Sequence, residues 1–162
     1  MKKALFAIAL FVIASAPAKA ADAEYKHEII ASQTSAALTL GTGSDAFGLR
    51  AGWLYNLGGG LQVGLLEASI NWTLSGTKDF QYMALPGIAW NSSTNLSDAW
   101  FVQAGAGVTE VANTAQFTFG GDVGKRIGIV PNVTWKPGIG VRKISSSDWV
   151  VRLNIVNLSV LL

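Results

Sequence analysis

The chain repeats every second residue, and that repeat leaves few folds open. Phe47, Leu49, Ala51, Trp53, Tyr55 and Leu57 are apolar, with Gly48, Arg50, Gly52, Leu54 and Asn56 between them. Trp100, Val102, Ala104, Ala106 and Val108 alternate with Phe101, Gln103, Gly105, Gly107 and Thr109. Val133, Trp135, Pro137, Ile139 and Val141 alternate with Thr134, Lys136, Gly138, Gly140 and Arg142. A period of two sends successive side chains to opposite faces of a strand. Each run is therefore a strand with one greasy face and one small or polar face.

Five further strands are predicted near residues 28–40, 61–74, 79–90, 115–128 and 148–162. In the third strand Leu66, Ala68, Ile70, Trp72 and Leu74 stand opposite Glu67, Ser69, Asn71 and Thr73. The fourth carries Phe80, Tyr82, Ala84, Ile88 and Trp90 on one face, and the sixth sets Phe117, Phe119 and Val123 opposite Thr118, Asp122 and Arg126. The last strand changes phase between Ile155 and Leu158, which predicts a bulge near Val156. Gly58-Gly59-Gly60, Asn91 to Asp98, Asn113 and Ser145-Ser146-Ser147 supply turns. Eight strands with short connections use up the chain as a single all-β domain.

Residues 1–20 form a predicted signal peptide: Lys2 and Lys3, an apolar run from Ala4 to Ala14, and an Ala18-Lys19-Ala20 cleavage site. The barrel domain is expected over 21–162. The apolar run is too short to span a bilayer. Without that leader, nine basic side chains face ten acidic ones, so the net charge of +2 belongs to the leader. A chain so balanced is a poor nucleic-acid partner. With no Cys and only His27, thiol and multi-histidine metal chemistry are excluded, and no cofactor is expected. The run from Gly120 to Arg126 is one residue short of a phosphate-binding loop and has Arg126 where Ser or Thr is needed.

Two all-β arrangements remain. A soluble lipocalin-like barrel turns its apolar face inward to carry an apolar ligand, whereas a transmembrane barrel turns it outward to lipid. Glycines at 48, 52, 105, 107, 138 and 140 make the second face too small and neutral to meet water, but suit the inside of a narrow barrel. The aromatic residues gather at strand ends. Trp53, Tyr55, Trp90, Trp100 and Trp135 mark one end; Phe47, Trp72, Phe80, Tyr82, Phe117, Phe119 and Trp149 mark the other. From Phe80 to Trp90, a strand tilted by ~40° climbs about 25 Å, the height of a lipid-facing band. The fold expected is an up-and-down antiparallel transmembrane β-barrel of eight strands. Its interior is expected to hold one ion network of Arg50, Glu67, Asp122, Arg126, Lys136, Arg142 and Arg152. Eight strands leave room only for side chains, so the network is read as a plug, with a narrow channel for ions or small solutes as the alternative. Pro86 and Pro137 cannot donate to a ladder and are expected at bulges.

The stretches FVQAGAGV (101–108) and WKPGIGVRK (135–143), with the terminal alternation Leu158, Val160 and Leu162, resemble the small eight-stranded outer-membrane barrels of the OmpA transmembrane-domain and OmpX-like group. The resemblance implies a monomeric bacterial outer-membrane protein. Its implied partners are membrane lipid, lipopolysaccharide and the barrel assembly machinery, which reads the last strand. Such barrels usually end in an aromatic residue and carry long outer loops; this chain ends in Leu162 and its outer loops are short. Some barrels of this size are lipid A acyl hydrolases. His27 invites that reading, but it lies before the first strand without an identifiable serine or acidic partner, and is expected to be an exposed terminal residue rather than a catalytic one.

Overall fold

The computed structural model describes residues 25–35, 46–73, 80–111, 113–145 and 149–162. The expected signal peptide, and the side chains of Phe47, Trp72 and Phe80, lie outside the described residues. Five strands come first: β1 (His27–Ser35), β2 (Ala46–Gly58), β3 (Leu61–Thr73), β4 (Phe80–Asn91) and β5 (Trp100–Val111). Six more follow: β6 (Thr114–Lys125), β7 (Ile127–Val130), β8 (Val133–Trp135), β9 (Gly138–Ile144), β10 (Trp149–Asn154) and β11 (Asn157–Leu161).

These eleven segments occupy eight barrel positions. Arg126 separates β6 from β7, Lys136 and Pro137 separate β8 from β9, and Ile155 and Val156 separate β10 from β11. Each barrel position pairs antiparallel with the next, β6 with β9 and β7 with β8, then β9 with β10 and β8 with β11, and Glu28–Ser32 of β1 pair with Asn157–Leu161 of β11. Since β11 continues β10, the sheet returns on itself. The fold is an all-β antiparallel barrel.

The facing follows the alternation. Trp53, Trp100 and Ile139 are 47%, 58% and 52% exposed on the outside, whereas Arg142 is 4% exposed within. Along β5, Trp100, Val102, Ala104, Ala106 and Val108 are exposed, while Phe101, Gln103 and Thr109 are buried. This is the reverse of what a soluble ligand-carrying barrel requires.

Three local departures matter. First, β3 carries a bulge: the ladder with β4 passes from Leu65↔Pro86 to Glu67↔Leu85, leaving Leu66 as the extra residue. Leu66 therefore turns inward beside Ile30, Leu54 and Ala89, contrary to its expected place on the greasy face. Gly52 sits opposite, where an added Cβ would come within 2.7 Å of the Leu66 carbonyl oxygen. Second, Val133 is fully buried rather than outward. Third, the prolines fall where no ladder bond is required. The β4–β5 ladder skips from Ala84↔Val108 to Gly87↔Gly105, leaving Pro86 unpaired with β5, and Pro137 occupies the break before β9. The β2–β3 turn uses Gly58, Gly59 and Gly60 at φ 92°, 59° and 81°, a region costly for any side chain.

Candidate functional site

The polar side chains meet inside the barrel in two separate clusters, not in one network. The first lies toward the end that carries both described termini. Glu28 on β1 is its only carboxylate among the described residues. Arg126 reaches it with a two-pronged grip, Nη1 donating to Oε1 at 2.9 Å and Nη2 to Oε2 at 2.7 Å. Lys136 Nζ donates to Oε1 at 2.9 Å and Gln62 Nε2 to Oε2 at 2.8 Å. Arg126 also donates from Nε to Asn91 Oδ1 at 2.7 Å and from Nη2 to Gln62 Oε1 at 3.0 Å. The Phe101 ring lies beside both cations, 4.9 Å from Lys136 Nζ and 5.9 Å from Arg126 Cζ. The breaks after β6 and β8 put Arg126 and Lys136 at this level, where the irregular backbone directs both inward.

A small apolar group covers this cluster. Leu96, in the connection between β4 and β5, is buried with Tyr25 and Leu161. Tyr25 OH donates to the Pro131 carbonyl at 2.8 Å, and Ala99 accepts from the Arg126 backbone N–H at 2.8 Å. The long β4–β5 connection thus folds over the barrel mouth rather than hanging free.

The second cluster lies deeper, beyond the layer of Ile30, Leu54, Leu66 and Ala89. Arg152 grips Glu67 with two bonds, at 3.1 and 3.0 Å. Arg142 Nη2 donates to Glu67 Oε2 at 2.9 Å and to Asp122 Oδ2 at 3.2 Å. Gln103 and Asn154 each donate to Asp122 at 2.9 Å. Arg50 donates to Asn154 Oδ1 at 3.2 Å and lies 3.8 Å from Glu67. A cavity of about 20 Å³ beside Arg50 has room for roughly one water molecule.

No family model and no curated protein matches the sequence. Among solved structures, the chain is similar to the crystal structure of Neisserial surface protein A (NspA). The two align with a TM-score of 0.61 over 86% of this chain and 98% of that one, at 13% sequence identity. At that identity the likeness establishes the fold.

All seven charged residues expected inside are brought into the lumen, divided between the two clusters. Sequence reasoning misses Glu28, because the run over residues 28–40 has no clean alternation to assign its faces. A charge count points to it: five interior bases against Glu67 and Asp122 leave a demand for another carboxylate. Of the expected aromatic girdles, Trp53, Tyr55, Tyr82, Trp90, Trp100, Phe117, Phe119 and Trp149 are exposed on the outer wall. Trp135 is only half-exposed, its indole N–H donating to the Ile155 carbonyl at 2.6 Å. His27 is not a loose terminal residue. It opens β1 on the outer face, stacked on Trp53 with ring centroids 5.5 Å apart and tilted against Tyr55 at 5.4 Å.

Proposed function

We propose that this protein is an integral barrel of a bacterial outer membrane, monomeric, with a structural or surface-contact role and an interior plugged by side chains. One observation carries the reading: exposed tryptophan, valine and isoleucine outside, buried arginine, lysine and carboxylate inside. In water this distribution would expose a continuous apolar wall; in lipid it matches the solvent. The plug is supported by two ion clusters separated by an apolar layer, with a water-sized cavity beside Arg50.

The small-barrel resemblance supports lipid and lipopolysaccharide as surroundings, with assembly machinery acting on the last strand. No catalytic role is assigned to His27, whose ring neighbours are Trp53 and Tyr55. Fractionation tests the reading. The protein is expected in the detergent-extracted outer membrane, with a folded band that shifts on heating in gel electrophoresis. In planar bilayers it is expected to pass no current; steady single-channel conductance would move the assignment to a narrow channel. Recovery as a soluble monomer without detergent would reject a membrane barrel.

A further inference from the structure

The ion clusters are distributed unevenly along the chain. Glu28 and Glu67 come from β1 and β3, and while Arg50 on the adjacent β2 lies 3.8 Å from Glu67, their closer partners Arg126, Lys136, Arg142 and Arg152 all follow β6. The separations are long: 98 residues for Glu28–Arg126, 108 for Glu28–Lys136, 75 for Glu67–Arg142 and 85 for Glu67–Arg152. Arg50 and Asn154 are 104 apart. Every other ladder in the described sheet joins strands that are neighbours in the meander; only β1 with β11 joins its two ends.

In an open sheet these partners could not meet. The first barrel position and the seventh, which holds Lys136, are six strand spacings apart, about 29 Å at ~4.8 Å each. Closure brings them to 2.9 Å. Asp122 belongs to the same end of the meander as its partners, 20 residues from Arg142 and 32 from Asn154. It can thus hold the Arg142 head before Glu67 arrives.

We propose that the cross-lumen ion pairs are the latch that closes the barrel, drawing the first three strands onto the last three and fixing the register in which β1 meets β11. The inference concerns assembly and holds whether or not the lumen conducts. In this role Glu28 and Glu67 engage their cations as the β1–β11 seam forms, while the lumen is still wet. Removing either carboxylate slows closing. Removing a buried bond between adjacent strands does not; Thr134 and Ser159, whose hydroxyl oxygens are 2.6 Å apart, provide that control.

The test refolds the urea-unfolded chain into vesicles of short-chain phosphatidylcholine. Circular dichroism follows strand formation, and the heat-sensitive gel band follows closure. Glu28→Gln and Glu67→Gln are expected to delay the compact band about tenfold, the rate equivalent of one charge-assisted hydrogen bond already made at closing, with the dichroism little changed. Thr134→Val should close at the wild-type rate and only unfold faster. Should the Gln variants fail to fold, the wild-type chain decides: its closing is expected to slow between about 50 mM and about 1 M salt, as screening weakens the attraction. Gln variants that close at the wild-type rate, or a wild-type rate equal at both salts, would overturn the latch.

Discussion

Glu28 and Arg126 are bonded to each other, yet removing one should not equal removing the other. With Glu28→Gln, Arg126 and Lys136 remain as two cations, at most 1% exposed, with no carboxylate. Breaking a buried pair so as to strand a charge costs about 3–5 kcal/mol, and two like charges place this variant at the upper end. With Arg126→Met, Glu28 keeps Lys136 at 2.9 Å and the remaining pair is neutral overall. The losses are then the acceptor stranded at Asn91 Oδ1, about 1–3 kcal/mol, and the two-pronged bond to Glu28, while Gln62 Oε1 still accepts from Asn91 Nδ2 at 2.9 Å. The methionine side chain restores part of the packing against Phe101. Glu28→Gln is therefore expected to be the more damaging by roughly 2 kcal/mol. Equilibrium urea unfolding in lipid vesicles, followed by tryptophan fluorescence, measures the difference. Greater loss in Arg126→Met than in Glu28→Gln would refute the charge accounting.

Three other perturbations probe the facing, the cap and a turn. Ala104 sits mid-strand on the exposed face of β5, and Ala104→Arg should cost about 2–4 kcal/mol in vesicles; an unchanged urea midpoint would show that lipid does not touch this wall. Leu96→Ala removes most of a side chain 2% exposed against Tyr25 and Leu161, with an expected loss of about 2–3 kcal/mol. Trypsin cleavage after Lys125 in vesicles open at that mouth should rise with it, and protection equal to wild type would argue against a cap. Gly60 combines φ 81° with an approach to the Asn91 carbonyl that leaves no room for a Cβ, so Gly60→Ala should lower the unfolding midpoint by more than 1 kcal/mol equivalent, about the most expected for an unstrained change. A neutral result would mean the turn relaxes freely.

The period of two determined the strands, their number of barrel positions and which face points outward. Those properties are local: a residue's parity along a strand fixes its side, and glycine on the lumen side leaves space for a narrow bore. The same parity placed Arg50, Glu67, Asp122, Arg126, Lys136, Arg142 and Arg152 inside. It could not say which of them would touch. That depended on shear, on the Leu66 bulge and on the breaks at Arg126, Lys136 and Ile155, each of which changes the height at which a side chain enters the lumen. Only the closed barrel divides the charges into two clusters, recruits Glu28 to the pair of cations that lacked a carboxylate, and folds Leu96 over the mouth. Contacts between residues 75 to 108 positions apart belong to the curvature of the whole sheet, which no stretch of sequence records by itself.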